Sequence, residues 1–148
     1  MKIPAASTCL IVLLCLTAPI GVQGSAPPLR YTVNTAIGFV RDNVTGLVWQ
    51  RGIGPGTYNW DGARSYCQSL PLDGKRWRLP SVKELLTIVD PTSSPAIDAN
   101  AFTPSSEFFW TSTPEEASTG FQVWLVEFAL GTSSARQTTE SRYVRCVQ

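Results

Sequence analysis

The stretch Lys75–Leu86 constrains the fold more than any other part of the sequence, because it specifies where a helix must begin. Pro80 restricts Leu79 to extended backbone geometry, so the chain enters this point as a strand-like segment. Ser81 supplies the hydroxyl of an N-cap, and Glu84 follows three residues later, which completes a Ser-x-x-Glu capping box. The sequence therefore predicts a helix that starts immediately after Ser81.

This predicted helix has one apolar side and ends near Asp90. Its apolar residues are spaced three and four apart, so that side must lie on a hydrophobic core. They are Val82, Leu85, Leu86 and Val89. Trp77 and Arg78 precede the capping box and complete the structural motif. The Arg78 guanidinium has two possible roles, pairing with a carboxylate or backbone carbonyls, or gripping an anionic ligand.

The first 24 residues have the composition of a signal peptide. Lys2 provides a basic start, residues 9–16 form an uncharged apolar run, and Gly24 ends a segment of small residues that suits signal peptidase. We expect residues 1–24 to be removed by cleavage before Ser25. A membrane anchor is the alternative, but the apolar run is shorter than the ~20 residues that a spanning helix needs. The prediction is a periplasmic or secreted protein without stable membrane insertion.

Cleavage at this point would leave a nearly neutral chain. Removing Lys2 from the 12 Lys and Arg residues leaves 11, against 11 Asp and Glu residues. Bulk charge therefore gives no reason to expect binding to nucleic acid or to an anionic membrane.

Cleavage would also leave two cysteines, Cys67 and Cys146. Two cysteines in an exported chain predict one disulfide. The alternative, a reactive thiol pair, lacks the Cys-x-x-Cys spacing and has no histidine to activate it.

The remaining pattern predicts one α+β domain at residues 38–148, after an N-terminal tether at residues 25–37. Strand-like alternation, helical periodicity and turn residues define its elements, and strands and helices occur in separate runs rather than in βαβ alternation. The predicted elements are two strands within Phe39–Gln50, a helix at Trp60–Leu70 capped by Asn59, the helix after Ser81, an irregular loop at residues 92–106 anchored by Ile97 and Phe102, strands at Phe108–Ser112 and Phe121–Leu130, a hairpin loop at Gly131–Ser141, and a last strand at Arg142–Gln148.

Several motifs occur in a fixed order along this domain. They are Val40-Arg41-Asp42-x-x-Thr45-Gly46-Leu47-x-Trp49-Gln50-Arg51, Trp60-x-x-Ala63-x-x-Tyr66-Cys67, Trp77-Arg78-Leu79-Pro80-Ser81 with Glu84-Leu85, Trp110-Thr111-Ser112-Thr113, Phe128 with Gly131, and Val144-Arg145-Cys146-Val147. Together they resemble the Lcl C-terminal domain family, named for the collagen-like adhesin of Legionella, over about residues 38–148.

This resemblance implies a fold and a function. The family is similar to C-type-lectin-like domains, in which two short helices pack on small antiparallel sheets with long irregular loops. In such domains a cysteine of the first helix bonds a cysteine of the last strand, which again selects Cys67 and Cys146. The resemblance also implies an extracytoplasmic binding domain, which in some members recognises sulfated glycosaminoglycans and acts in adhesion.

Catalytic and metal-binding signatures are absent from the sequence. The chain has no histidine, no glycine-rich phosphate loop and no nucleophile elbow. The calcium-binding triplets of lectins are also missing, and Leu125 and Val126 after Trp124 offer no oxygen ligand for a hard cation. We therefore expect no enzymatic activity, no catalytic residue, no metal and no cofactor.

The densest basic spot surrounds the Lys75–Leu86 stretch and is the predicted ligand-binding patch for a sulfate or carboxylate. It comprises Lys75, Arg76 and Lys83, with Arg64 on the preceding helix. The competing interpretation is a solvated charged turn beside Asp73 and Glu84. The five tryptophans offer a possible sugar-stacking platform, but their patterns predict that at least four pack in the core.

The leading functional hypothesis is an exported module that recognises a glycan or another extracellular polymer, with adhesion as its expected role. Its predicted contact surface is the loops between residues 92 and 142, helped by the Lys75–Lys83 turn. The alternative is a protein–protein interaction module of the bacterial envelope that uses the same loops without sugar specificity.

Overall fold

The computed structural model describes residues 29–116 and 120–148, so the predicted signal peptide lies outside the described residues. Within them the chain forms two three-stranded antiparallel sheets and two short helices, in agreement with the predicted α+β class. The elements are β1 (Tyr31–Asn34), β2 (Phe39–Asp42), β3 (Val48–Gln50), α1 (Trp60–Ser69), α2 (Val82–Thr87), β4 (Phe108–Glu115), β5 (Gln122–Glu127) and β6 (Thr132–Gln137). The strand orders are β1-β2-β3 in the N-terminal sheet and β4-β5-β6 in the C-terminal sheet.

The predicted tether at residues 25–37 is wrong for its second half, because Tyr31–Asn34 is strand β1. It pairs with β2 from Tyr31 opposite Asp42 to Asn34 opposite Phe39. Side chains hold it in place: the Arg30 guanidinium donates to the Asp42 carboxylate at 2.9 Å and to the Thr87 carbonyl. Asp42 is a fully buried residue of β2, so this charge-assisted pair holds the start of β1 to β2, and the bond to Thr87 joins it to the end of α2.

The hydrophobic core has two parts, which lie on opposite faces of the C-terminal sheet. Alternation along β5 distributes its side chains: Val126 packs with the α2 side, and Val123 and Leu125 pack with the α1 side. The α2-side core contains Val40, Trp49, Leu85, Ile88, Ile97, Ala101, Phe102, Phe109, Val126, Phe128 and Val147. The α1-side core contains Val48, Ala63, Cys67, Trp77, Leu79, Trp110, Val123, Leu125, Val144 and Cys146.

Both helices begin where the sequence predicts. Asn59 caps α1 through its side-chain oxygen, which accepts from the Gly62 N–H at 2.8 Å. Ser81 and Glu84 form the reciprocal capping box, with 3.2 Å from the Glu84 N–H to the Ser81 hydroxyl and 2.7 Å from the Ser81 N–H to the Glu84 carboxylate.

Helix α2 ends three residues earlier than predicted. The Asp90 N–H bonds to the Ala96 carbonyl at 2.9 Å, which draws the chain into the following loop. The apolar face differs accordingly: Leu86 is partly exposed, whereas Ile88 is buried. That loop is anchored as predicted, with Ile97 and Phe102 both buried.

The predicted hairpin loop at Gly131–Ser141 is wrong, because Thr132–Gln137 forms β6 and pairs with β5 along its full length. Its small polar residues suit an edge strand whose side chains are mostly exposed. The predicted last strand at Arg142–Gln148 instead makes single bridges to several elements. Val147 pairs with both Trp49 and Arg78, and Tyr143 pairs with Phe109.

This C-terminal segment, residues 142–148, is buried at its centre. Val144, Arg145, Cys146 and Val147 are all inaccessible to solvent. The Gly54 N–H donates to the Val144 carbonyl at 3.1 Å, and a Cβ at position 54 would lie 2.6 Å from the Val144 side chain. Only glycine therefore allows the chain at position 54 to approach the segment so closely.

The predicted disulfide joins Cys67 of α1 to Cys146, with 5.5 Å between the Cα atoms and 79 residues between the cysteines in sequence. Both cysteines are fully buried in the α1-side core. Since the loop that it closes spans most of the domain, the bond removes much conformational freedom from the unfolded chain.

Arg145 is a fully buried cation that has no carboxylate partner among the described residues. Its guanidinium donates to the carbonyls of Gln50, Arg51 and Thr103 at 3.2, 2.8 and 2.8 Å, and lies 5.0 Å from the Phe102 ring centroid. Burial, with a smaller contribution from Arg51, lowers the pKa of Arg145 to about 9, so the side chain remains charged at neutral pH. Arg145 thus ties the C-terminal segment to the chain after β3 and to the loop before β4.

Replacing both cysteines should lower the free energy of unfolding without changing the fold. For Cys67→Ala/Cys146→Ala we expect a loss of about 4–5 kcal/mol, the loop-closure value for a loop of this length. Urea denaturation followed by circular dichroism measures it. Reduction of the wild type should give a similar loss, and a reductant should leave the double variant unaffected. Equal stability of the oxidised wild type and the double variant would contradict the prediction.

Replacing Arg145 by lysine should be strongly destabilising although the charge is kept. A lysine ammonium cannot donate to three carbonyls that are arranged around the plane of a guanidinium. Each buried carbonyl left without a donor lowers the free energy of unfolding by about 1–3 kcal/mol. We expect Arg145→Lys to lose about 3 kcal/mol of unfolding free energy in urea titrations. Arg41→Lys, at an exposed position of β2, is the matched control and should change little.

Candidate functional site

The Trp77–Pro80 segment forms one wall of the candidate site. The Trp77 indole is buried and donates its N–H to the Leu72 carbonyl at 2.9 Å. Arg78 exchanges backbone hydrogen bonds with Val147 in both directions at 2.9 Å. The Pro80 carbonyl accepts from the Ser112 N–H at 2.7 Å, which connects the segment to β4. The segment is therefore fixed at both ends by strands of the fold.

The Arg78 side chain pairs with a carboxylate, which is one of the two roles that the sequence allows. Its guanidinium donates to both oxygens of Glu84, at 2.9 and 2.7 Å. The hydrogen bond from Arg78 is the largest cause that lowers the pKa of Glu84 to about 2. Glu84 thus caps α2 and orients Arg78 at the same time.

The outer face of α1 forms the opposite wall of a cleft. Two adjoining cavities, of about 490 and 200 Å³, share Gln68 of α1 and Arg78. We call their common surface the arginine cleft; it is lined by Arg64, Gln68, Arg76, Trp77, Arg78, Leu79 and Ser112. Trp77 and Leu79 form its floor, so the cleft combines apolar surface with the hydrogen-bond donors of its arginines and Gln68.

The three arginines of the cleft differ in how far their charges are compensated. Arg78 is neutralised by Glu84, and Arg64 lies 3.6 Å from the exposed carboxylate of Asp61. Arg76 is exposed and forms no ion pair within residues 29–116 and 120–148. An exposed pair such as Arg64–Asp61 is weak in water, so both Arg64 and Arg76 are available to an anionic ligand.

The structure brings together only part of the predicted basic patch. Arg64 and Arg76 both line the cleft. Lys75 and Lys83 do not: the Lys75 ammonium lies 3.4 Å from Asp73, and Lys83 is an exposed residue of α2. Gln68 and Ser112 also line the cleft and were not predicted from the sequence. The only signal for either is that Gln68 follows Arg64 by four residues on the same helix.

The predicted contact loops between residues 92 and 142 carry a different kind of surface. A cavity of about 420 Å³ lies over the 90–100 loop, with Asp90 and Asp98 among its lining residues. Their carboxylates already accept hydrogen bonds from Thr92, Ser93 and Asn100 of the same loop. In the described part of the chain no group of three or more His, Cys, Asp and Glu residues is placed to hold a metal ion.

The structure agrees with the prediction that at least four tryptophans pack in the core, because three are buried and Trp60 packs against the α1-side core. Trp49, Trp77 and Trp110 are buried, but Trp60 and Trp124 are both partly exposed. Trp60 begins α1, where its indole N–H donates to the Thr111 carbonyl at 2.8 Å. Helical periodicity predicts that Trp60 points inward, and its ring does pack against the α1-side core, although part of it remains exposed.

The low pKa of Glu84 predicts a pH dependence of stability. A carboxylate whose folded pKa is depressed stabilises the fold above its unfolded pKa, and this contribution is lost as the pH falls through the folded value. Urea midpoints of the wild type should therefore fall between about pH 4.5 and pH 2. In Glu84→Gln the decrease over this interval should be smaller. Glu107→Gln, at an exposed position, is the matched control and should follow the wild type.

One family of known proteins matches most of the chain. Among residues 29–116 and 120–148, no helix is both long and apolar enough to cross a bilayer. No curated protein matches the chain at a significant level. The family model of the Lcl C-terminal domain matches residues 38–148, which include α1, the Trp77–Pro80 segment and the whole C-terminal sheet. This chain therefore belongs to the Lcl C-terminal domain family, a membership that indicates an adhesin-like extracellular domain.

Proposed function

We propose that this protein is an exported binding domain, periplasmic or secreted, that recognises an anionic glycan through the arginine cleft. The observation that carries the proposal is Arg76, an exposed guanidinium without an ion pair among the described residues, on a cavity of about 490 Å³. Arg64 and Gln68 on α1 face the same surface. Guanidinium groups bind sulfate and carboxylate through two parallel hydrogen bonds, so Arg76 suits either group.

Membership of the Lcl C-terminal domain family supports the extracytoplasmic part of the proposal. The buried disulfide agrees with it, because such bonds persist in oxidising compartments. A C-type-lectin-like arrangement, with helices and small sheets presenting an irregular surface, is the fold that we associate with this role.

The near-neutral charge of the chain bears on how tightly such a domain binds. With 12 basic and 11 acidic residues in the whole sequence, long-range attraction of a polyanion is weak. Affinity must come from contacts inside the cleft, and the exposed arginines make it sensitive to salt. We therefore expect selectivity for particular sulfated or uronate-containing glycans rather than general binding to polyanions.

A protein–protein interaction module of the bacterial envelope is the second candidate. It is favoured by Leu130 on the β5–β6 turn, whose side chain is 78% exposed, and by the partly exposed Leu86 on α2. Large apolar side chains at the surface are typical of protein contacts when they form a patch. This candidate predicts that Leu130→Asp abolishes capture of an envelope protein while glycans have no effect.

A glycan array tests the first candidate. We expect the wild type to bind sulfated or carboxylated glycans and the signals to decrease from about 0.1 to about 0.5 M NaCl. At these salt concentrations the Debye length is about 10 Å or less, so salt screens the charges of the cleft. Arg76→Glu should weaken binding by at least about tenfold, because it removes a charge-assisted hydrogen bond and adds repulsion.

Lys83→Glu is the matched control, since it makes the same change of charge on an exposed residue outside the cleft. It should leave the array profile intact. Equal losses in the two variants would show that binding depends on net charge and not on the cleft. Absence of any glycan signal for the folded wild type, together with a co-purifying envelope protein, would reject the first candidate in favour of the second.

A further inference from the structure

We infer that Trp60 and Phe121 extend the arginine cleft into an aromatic platform that stacks against the face of a pyranose ring. This inference rests on the proposed function, because it adds a subsite for an uncharged surface of the glycan. Phe121 is 56% exposed although it is a large apolar residue, and its ring centroid lies 5.5 Å from that of Trp60 at an angle of 69°. These two side chains come from different parts of the chain: Trp60 packs against the α1-side core and reaches the surface, where the exposed Phe121 meets it.

The platform is held in position before any ligand arrives. The Trp60 indole N–H donates to the Thr111 carbonyl at 2.8 Å, and the Trp60 backbone N–H donates to the Thr138 carbonyl at 3.0 Å. These bonds attach the first residue of α1 to the C-terminal sheet. A ring that is fixed in this way loses little conformational freedom on binding.

Arg64 connects the platform to the cleft. Its guanidinium lies 4.8 Å from the Trp60 ring centroid, and the same residue lines the smaller cavity of the cleft. Stacking on the indole orients the planar guanidinium and leaves its outer edge free to donate. The aromatic and the cationic parts therefore form one continuous surface.

The spacing along α1 sets the size of ligand that this surface suits. Trp60, Arg64 and Gln68 are four residues apart, so they form a row along the helix, beside the face that buries Ala63 and Cys67. At 1.5 Å per residue this row is about 12 Å long. A single sugar cannot cover it, so the geometry favours an oligosaccharide with one ring on the platform and an anionic sugar in the cleft.

The chemistry of the row suits a sugar better than an apolar peptide. A pyranose ring has one face of C–H groups, which packs on an aromatic ring, and an edge of hydroxyl groups, which bonds to planar donors. Phe121 and Trp60 offer the first kind of contact, and Arg64 and Gln68 offer the second. The side chains of an apolar segment would offer these donors no acceptor, so only its backbone carbonyls could bond to them.

Binding of two defined oligosaccharides tests the platform. The two ligands are chondroitin sulfate hexasaccharide and the neutral cellohexaose, and each is titrated into the protein by calorimetry at about 0.05 and about 0.5 M NaCl. The Debye lengths at these concentrations are on the order of 14 and 4 Å. We expect Phe121→Ala to weaken binding of the chondroitin sulfate about three- to tenfold at both salt concentrations, the loss of one aromatic contact. Phe121→Tyr, which keeps an aromatic ring, should bind chondroitin sulfate as the wild type does. Arg76→Glu should weaken this binding mainly at the lower salt concentration.

Val44→Ala is the matched control, because it truncates another exposed apolar residue, which lies in the β2–β3 turn outside the row. In nitrogen-15 spectra the indole N–H signal of Trp60 should shift on titration, and that of the buried Trp49 should not. Chondroitin sulfate binding that is unchanged in Phe121→Ala would overturn the platform and leave the cleft standing. If neither oligosaccharide binds the folded wild type, the platform is rejected together with the cleft.

Discussion

The pairing of the C-terminal segment with both halves of the domain is the constraint on which the remaining structure depends. Residues 142–148 lie between the two sheets, where Val147 bridges to Trp49 on one side and to Arg78 on another. Cys146 accepts a backbone hydrogen bond from Gln50 and is bonded covalently to Cys67 of α1. Arg145 binds three carbonyls from two separate loops. This segment thus joins α1, the chain after β3, the Trp77–Pro80 segment and the C-terminal sheet through backbone hydrogen bonds, the disulfide and the Arg145 guanidinium.

The same segment sets the geometry of the arginine cleft. One wall is α1, which is attached to Cys146 through the disulfide, and the other is the Trp77–Pro80 segment, which is attached to Val147 through paired backbone bonds at Arg78. Two consecutive residues therefore fix the separation of the two walls. A site that is held by covalent and backbone bonds in this way needs little rearrangement on binding, which favours affinity and selectivity. The architecture explains how a short helix and an irregular segment, neither stable by itself, can present side chains in fixed positions.

Local signals in the sequence predicted the elements that depend on local interactions. Asn59 and the Ser81–Glu84 capping box place the starts of both helices, because an N-cap is a contact within one turn. The signals failed where long-range pairing decides the structure. Strand β1 exists because Arg30 reaches Asp42 and Thr87, and β6 exists because β5 provides a partner along its whole length. For the site, sequence proximity grouped Lys83 with Arg76, but a helix turned Lys83 away and brought Arg64 and Gln68 to the cleft instead.

The basic residues fall into two groups, those paired within the fold and those available to a ligand, so the net charge does not predict where an anion binds. Three arginines stabilise the fold. Arg30 pairs with a buried carboxylate, Arg78 pairs with the carboxylate that caps α2, and Arg145 donates to backbone carbonyls. A charge that is already satisfied costs a ligand the energy of displacing its partner, so these arginines contribute little to binding. Arg76 has no partner to displace among the described residues, and Arg64 has only an exposed one. The positive electrostatic potential of the surface is therefore strongest at the arginine cleft, although the net charge of the whole chain is close to zero.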